Sequence, residues 1–367
     1  MIRSLSLAAA ALMALGMGMG ASAQAPAARI VNVYNWNDYI DPKVLEDFTK
    51  DTGIKVVYDL YDTNEIVETK LLAGNSGYDI VVPSGTFLYR MGQARLFHPI
   101  EKTRLTNAGN IWPDIAKRLQ AYDPGNLHGV NYMWGTVGIG INVKKVKERL
   151  GSQPLNSWDI AFKPEILAKL KDCGVHMLDA PEDIMPAAMN WLGLPGGSTK
   201  EADLRRAADA LMKIRSIVQK FHSSEYINAL ANGDICMVVG YSGDILQARK
   251  RADEAKNGVE ISYIIPKEGA QMWFDSMAIP ADSKNKAEAH AFIDYMLRAD
   301  VAARNTNFVS YATGNLPGKA GVKPEIARDP GVYPDDATFA RLFTNTPFDE
   351  KGQRMLTRLW TRVKTGK

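Results

Sequence analysis

Aromatic residues and carboxylates recur together near the ends of apolar runs in this chain. The pairs are Trp36 with Asp38 and Tyr39, Tyr241 with Asp244, and Trp273 with Asp275. Aromatic rings attract ammonium groups and cover methylene chains, and a carboxylate binds the ammonium charge. Several carboxylates in one closed site repel one another, so their ligand should carry two or more positive charges. Taken singly, each pair is typical of a polar loop. Together, the three pairs predict one cleft for a cationic organic ligand. Asp183 at a helix start and Tyr311 in a loop are further candidates for its lining.

The stretch over residues 30–40 indicates which elements position such side chains. Its first half has the β-branched and aromatic side chains of a buried strand, and its second half is polar and aromatic. A helix follows, with Asp41 as N-cap and Pro42 at its first position. Further strands are predicted over 54–58 and 79–82, with a helix between them. This alternation predicts a mostly parallel α/β sheet, whose carboxyl edge is the usual place for a ligand. Later in the chain, a helix is predicted over 201–213, with Leu204, Ala208, Leu211 and Ile214 on one apolar face, and another is predicted near 337–343.

An apolar run over residues 133–143 contains three glycines and predicts a crossing between two lobes. Glycine within a strand permits bending or close backbone approach, although a glycine-bearing edge strand would have the same pattern. The chain of 367 residues is too long for one typical core. We therefore expect two α/β lobes, formed by residues 24–134 with about 257–312 and by about 135–256 with 313–367.

Residues 1–23 have the features of an export signal. Arg3 is their only charged residue, an apolar run follows, and Ala-Ser-Ala at 21–23 fits a cleavage site before Gln24. The apolar run is shorter than the ~20 residues that a membrane span needs. We therefore expect an exported protein of the periplasm.

The chain contains two cysteines, Cys173 and Cys236. An even number of cysteines in an exported chain predicts a disulfide. Two free buried thiols are the alternative.

Other classes of function have weaker support. The formal net charge is only +3 and no basic cluster is present, which argues against nucleic acid as a partner. The run over 240–244 differs from a nucleophile elbow in its last glycine, and the five histidines are scattered. Asp179, Glu182 and Asp183 could form a metal cluster or an acid–base pair, but acidic residues in a first helical turn more often interact with the helix dipole. We expect no cofactor, no metal and no enzymatic activity.

Nine segments together resemble one known family. They are VYNWNDYI at 33–40, GIKVVY at 53–58, YDIVVPS at 78–84, YMWGT at 132–136, CGV at 173–175, LDAPE at 178–182, FHSS at 221–224, NGDIC at 232–236 and IPKEG at 265–269. The chain is similar over essentially its whole mature length to the periplasmic polyamine-binding proteins of bacterial ABC importers, and most to the putrescine-binding kind. The resemblance implies a type II periplasmic binding protein fold, two α/β lobes hinged around a ligand cleft, and a disulfide between the two cysteines. It also implies a polyamine ligand and a membrane permease as partners, and we expect a monomer.

The resemblance implies a role for individual residues. Trp36, Tyr39 and Tyr311 match aromatic positions along the ligand, Asp38 matches an acidic contact, and Ser84 matches a hydroxyl that binds an amine. Asp244 and Asp275 match carboxylates that bind the ammonium ends.

Four positions differ from the family pattern. Asn37 replaces a Ser or Thr, Asp183 replaces a Glu of the putrescine binders, and Tyr241 replaces a Trp. At the position of Trp273, the pattern of the putrescine binders has a Phe and that of the spermidine binders has a Trp. The differences leave a putrescine or a spermidine preference open. Two further alternatives are a periplasmic enzyme that acts on amines and a receptor for an anion or ferric ion, against which the acidic residues argue.

Overall fold

The computed structural model describes residues 29–367, so the predicted export signal at 1–23 lies outside the described residues. The strands are β1 (Ile30–Trp36), β2 (Lys55–Tyr61), β3 (Ile80–Val81), β4 (Phe97–His98), β5 (Gly129–Asn142), β6 (Val175–Met177), β7 (Lys220–Phe221), β8 (Met237–Tyr241), β9 (Ile261–Ile264), β10 (Ala270–Pro280), β11 (Ala312–Thr313) and β12 (Leu342–Phe343). The α-helices are α1 (Pro42–Thr52), α2 (Asn64–Ala73), α3 (Gly85–Gln93), α4 (Pro113–Leu119), α5 (Val143–Leu150), α6 (Asp159–Phe162), α7 (Pro164–Leu167), α8 (Pro181–Trp191), α9 (Glu201–Ile214), α10 (Tyr226–Ala231), α11 (Ser242–Ala255), α12 (Lys286–Met296), α13 (Ala299–Val309), α14 (Pro324–Ala327), α15 (Asp336–Phe339) and α16 (Glu350–Thr365). Among the helices of this range, none combines the length and the apolar character that crossing a membrane requires.

The strands form one mixed sheet that strand β5 divides into two halves. On one side the order is β2-β1-β3-β10-β5, in which β1 runs parallel to β2 and β3 while β10 runs antiparallel to β3 and β5. On the other side the order is β5-β8-β6-β7, in which β8, β6 and β7 are mutually parallel. We call these the first and the second half-sheet.

Strand β5 belongs to both half-sheets. Its residues 129–136 pair with β10, and its residues 137–141 pair with β8. The opposite edge of β5 pairs with β11 in the first part and with β9 in the second. All fourteen residues of β5 are buried for this reason. The predicted crossing strand is therefore present, and the chain crosses again over 265–269, between β9 and β10.

Local sequence explains how β1 leads into α1. Asp41 caps the helix by accepting a hydrogen bond from the backbone N–H of Lys43 (2.9 Å), and Pro42 occupies the first turn. The helix ends at Gly53, whose φ of 69° is a left-handed conformation that glycine adopts without strain. This unit confirms the predicted strand and helix and places residues 36–39 at the carboxyl end of β1.

The helices of the second half-sheet pack through predicted apolar faces. On α9, the four predicted core residues are all buried: Leu204, Ala208, Leu211 and Ile214. The C-terminal helix α16 packs on α9 and α8. The 3-10 helix Pro317–Gly321 packs instead on α13, so the last fifty residues contact helices of both half-sheets.

Cys173 and Cys236 form the predicted disulfide, with their Cα atoms 5.5 Å apart. Cys173 precedes β6 and Cys236 precedes β8, and these two strands are parallel neighbours. The disulfide therefore joins two adjacent strands of the second half-sheet.

One predicted element near the C-terminus is wrong. A helix was expected over 337–343, but α15 ends at Phe339 and the next two apolar residues form β12. Leu342 and Phe343 pair with the first two residues of β10, whose open edge competes with continuation of the helix.

Candidate functional site

The structure brings all eleven predicted site residues to one cleft. The cleft has a volume of about 1120 Å³, including solvent space at its mouth. The predicted residues in its lining are Trp36, Asn37, Asp38, Tyr39, Ser84, Asp183, Tyr241, Asp244, Trp273, Asp275 and Tyr311. They come from the ends of β1 and β8, the starts of α3, α8 and α11, strand β10, and the loop before β11.

Asp275 is the most buried carboxylate of the cleft, with 5% of its surface exposed. The hydroxyl of Tyr39 donates to its Oδ2 at 2.8 Å, and the hydroxyl of Ser84 donates to its Oδ1 at 2.7 Å. Burial raises the pKa of Asp275 to about 7, although both hydroxyl donors favour the ionised form.

Trp273 and Asp275 were expected near a strand end, and this is wrong. Both lie within β10, where residues two apart point to the same face, so the strand presents them to the cleft from its side. The pairing register shifts between Asp275 and Ser276. A polar residue inside a buried strand is tolerated here because hydroxyls from the loop after β1 and from the residue before α3 satisfy its oxygens.

Asp244 lies in the first turn of α11, where two tyrosine hydroxyls contact it. Tyr311 donates to Oδ1 at 2.6 Å, and Tyr226 donates to Oδ2 at 2.7 Å. The Tyr311 hydroxyl also accepts from the backbone N–H of Asp244 at 3.2 Å. Burial among these groups raises the pKa of Asp244 to about 6.

Asp183 lies in the first turn of α8, at the other end of the row of aromatic residues. It accepts a hydrogen bond from the hydroxyl of Tyr241 at 2.8 Å and another from Nε2 of Gln271 at 2.8 Å. Burial raises its pKa to about 7, and the charges of Glu182 and Asp275 contribute to this rise.

These three carboxylates have no cationic partner among the residues that the structure describes. Asp183, Asp244 and Asp275 accept hydrogen bonds from tyrosine, serine and glutamine side chains only, and none forms a salt bridge. Carboxylates away from water are stable as charges only when a cation or strong donors compensate them. A cation from outside the chain would therefore compensate these carboxylates more fully than the neutral donors do.

A continuous row of aromatic rings forms one wall of the cleft. Tyr39, Tyr311, Trp273 and Tyr241 contact one another in that order, edge to face, with ring centroids 5.2 to 5.8 Å apart. Because the rings contact one another edge to face, some ring faces remain available to cover an alkyl chain of a ligand. Trp36 stands apart from the row, because its indole N–H donates to the backbone oxygen of Val82 at 2.9 Å.

Two glycines make space for this wall. A Cβ atom at Gly135 would lie 2.5 Å from the indole of Trp273, and one at Gly243 would lie 2.5 Å from the ring of Tyr311. Either side chain would displace an aromatic residue of the cleft.

Asp38 and Asn37 lie at the mouth of the cleft rather than inside it. The side chain of Asp38 is 54% exposed and forms a salt bridge with Arg251 of α11 at 3.1 Å. Asn37 donates a hydrogen bond to Asp62. Asp38 therefore already has a cationic partner in this structure, in contrast to the three carboxylates inside.

Asp179 and Glu182, weighed above as a metal cluster with Asp183, each have a partner of their own. Asp179 binds Lys364 at 2.7 Å and accepts from the indole of Trp360. Glu182 binds Arg90 at 2.8 Å and accepts from the hydroxyl of Thr86.

Three residues that contact the carboxylates of the cleft were not predicted from the sequence. Gln271 lies two residues before Trp273 on the same strand, so strand alternation alone would place it on the cleft face. No sequence pattern marks Tyr226 or Arg90 as a residue of the site, because only the tertiary packing of α10 and α3 brings them there.

The fold and the cleft define a solute-binding protein. Residues 43–334 match the family model described as bacterial extracellular solute-binding protein, and the chain belongs to this family. The predicted fold class, two α/β lobes around an interlobe cleft, is confirmed.

Individual relatives cover almost the whole chain. It is 48% identical over 340 residues to the putrescine-binding periplasmic protein SpuD of Pseudomonas aeruginosa, covering 92% of this chain and 93% of that protein. It is 49% identical over 341 residues to the putrescine-binding periplasmic protein PotF of Escherichia coli, covering 92% of each. The crystal structure of the spermidine/putrescine ABC transporter substrate-binding protein PotD from Streptococcus pneumoniae matches with a TM-score of 0.76 at 30% identity, covering 92% of this chain and 99% of that one.

Proposed function

We propose that this protein is a periplasmic receptor that binds putrescine or a related polyamine and delivers it to the permease of an ABC importer. The observation that carries the proposal is the set of three cleft carboxylates, Asp183, Asp244 and Asp275, which have neutral hydrogen-bond donors but no cationic partner among the described residues. The names of the relatives support the polyamine ligand and the periplasmic location, as do the signal features of residues 1–23.

The ligand would lie extended along the aromatic wall. Ammonium groups would bind Asp244 and Asp275, while Tyr39, Tyr311 and Trp273 cover the methylenes between them. The hydroxyl donors already orient the carboxylate oxygens, so binding needs little rearrangement of these side chains. Because water is excluded, each ammonium–carboxylate attraction is stronger than it would be in solution.

Closure of the lobes on the ligand is part of the proposal. We propose that residues 24–134 with about 257–312 form most of one lobe and about 135–256 with 313–367 most of the other. Strand β9 pairs with the second half-sheet, however, and the 3-10 helix Pro317–Gly321 packs on α13. Contacts of Asp38 with Arg251 and of Glu182 with Arg90 would join the lobes across the cleft. A closed state of this kind is favoured by a ligand that contacts both lobes.

A preference for spermidine over putrescine is a second candidate. Two amide oxygens near Asp183, Oε1 of Gln271 and Oδ1 of Asn345, are buried without a hydrogen-bond partner among the described residues. A third nitrogen of a longer polyamine would supply the missing donor. Asp275 is near enough to both Asp183 and Asp244 for their charges to interact, so the three carboxylates form one site.

Calorimetric titration of ligand-stripped protein with putrescine, cadaverine, spermidine and spermine tests both candidates. We expect submillimolar binding of at least one polyamine and none of a neutral diol of the same length. Absence of binding for all four would refute the proposed function. Mass spectrometry of the recovered ligand separates a receptor, which returns it unchanged, from an amine-processing enzyme, and light scattering tests the expected monomer.

A further inference from the structure

Tyr226 contacts the site from behind and does not line the cleft. It is the first residue of α10 and is fully buried. Its ring packs beside Gly240, where a Cβ atom would lie 3.0 Å from the ring. The only part of Tyr226 that reaches the site is its hydroxyl, which binds Oδ2 of Asp244.

The hydrogen bonds of the Tyr226 hydroxyl fix the direction of its proton. The backbone N–H of Tyr241 donates to this oxygen at 3.1 Å, so the oxygen acts there as an acceptor. A phenol has a single proton to donate. That proton is therefore directed at Asp244, at 2.7 Å, and stabilises its ionised form.

The two tyrosines on Asp244 come from different parts of the fold. Tyr311 precedes β11, which pairs with the first half of β5, whereas α10 packs on α11, the helix that bears Asp244. The contact with Tyr226 is thus made within one half-sheet and its helices. The contact with Tyr311 joins the two halves across the cleft.

We propose that Tyr226 is a positioning residue of the binding site, which holds Asp244 oriented and ionised for a ligand ammonium group whether the cleft is open or closed. This inference rests on the proposed function. The hydroxyl of Tyr226 would thus act on the binding site, whereas its ring only fills space in the core.

Other groups also act on Asp244 and bear on the test. Asp38 and Arg251 approach it from the mouth of the cleft with opposite charges, and Asp275 lies on its inner side. The hydroxyl of Tyr311 binds it from the aromatic wall, whereas the hydroxyl of Tyr241 binds Asp183 instead. All of these remain in a Tyr226→Phe variant, which removes one oxygen only.

The test measures the affinity for putrescine of Tyr226→Phe across pH. The loss of a hydrogen bond to a charged group weakens binding by about tenfold. Because the lost bond favoured ionisation, the defect should be larger at pH 6 than at pH 8.5. The matched control is Tyr333→Phe, since the Tyr333 hydroxyl likewise accepts a backbone N–H, from Thr313, without lining the cleft. We expect this control to change affinity less than about twofold.

Two further measurements separate positioning from a general structural effect. In an Asp244→Asn background, Tyr226→Phe should cause little further loss, because the carboxylate that it serves is absent. Carbon NMR titration of Asp244 should show a higher carboxyl pKa in Tyr226→Phe, even without ligand. An unchanged carboxyl pKa, or an affinity loss that is independent of pH and of residue 244, would overturn the inference. Failure of the wild-type protein to bind polyamines would instead refute the proposed function, while the ligand-free titration still tests Tyr226.

Discussion

Arg90 of α3 binds Glu182 of α8 at 2.8 Å across the cleft, and both side chains are largely buried, with 18% and 10% exposed. Arg90 also binds Glu68 of its neighbouring helix α2. The second ion pair across the cleft, Asp38 with Arg251, is far more exposed. Because exposed ion pairs contribute little and partly buried ones more, the two contacts should differ in how strongly they would stabilise the proposed closed state.

Replacing both partners of each pair tests this difference without changing net charge. We expect Arg90→Gln with Glu182→Gln to speed ligand release by about tenfold, and Asp38→Asn with Arg251→Gln by less than about threefold. Stopped-flow dissociation of a bound polyamine measures both. The exposed pair Glu201 and Arg205 on α9 supplies the control, and equal rates for all three double variants would contradict the prediction.

Asp275→Asn should weaken polyamine binding more than tenfold, because it removes a charge that the ligand would compensate. Asp244→Asn should act in the same direction. Calorimetry measures the change, with Asp172→Asn as control, since Asp172 pairs with Arg149 on the surface. An affinity unchanged in either cleft variant would remove that residue from the proposed site.

The ligand-free protein should become more stable as the pH falls from about 8 to about 5. The pKa of Asp275 is raised to about 7 in the folded state, above its usual value of 3.8, so between these values the folded protein binds more protons than the unfolded chain. Stability therefore falls as pH rises through this window, and Asp183, also raised to about 7, acts in the same direction. Urea unfolding at several pH values checks this.

The matched control for the stability prediction is Asp275→Asn. This variant should have a shallower dependence on pH than the parent over the same range, because one titrating carboxyl is missing. A steeper dependence would show that the sign is wrong.

Gly243→Ala should weaken binding about tenfold or more, because the added Cβ would displace the ring of Tyr311 and with it the hydroxyl that binds Asp244. Helix propensity alone would make the same substitution favourable in α11. Gly109→Ala is the control, since nothing lies within 4 Å of its added Cβ. Equal affinities for the two variants would contradict the role of Gly243.

Much of the fold and the residues of the cleft could be predicted where the signal is local. Asp41, Pro42 and Gly53 mark both ends of α1 through capping chemistry, and the apolar stripe of α9 has helical spacing. The aromatic and acidic residues after β1 and β8 were recognisable because apolar runs stop there.

The errors and omissions have a common physical reason, since each depends on contacts between distant residues. Asp275 was grouped with the strand ends because it is polar, yet it lies inside β10, which pairs with β5 on both sides of it, and the hydroxyls of Tyr39 and Ser84 satisfy its oxygens. Tyr226 reaches Asp244 only after α10 packs on α11, and β12 forms only because β10 offers an open edge.

The disulfide described above joins the starts of β6 and β8, so its covalent constraint acts within the second half-sheet and spans neither the mouth of the cleft nor strand β5. We therefore expect reduction of the disulfide to lower the stability of the second half-sheet rather than to act directly on the residues that line the cleft. If the protein binds polyamines as proposed, a cysteine-free version that remains folded would be a starting scaffold for a polyamine biosensor in the reducing cytosol.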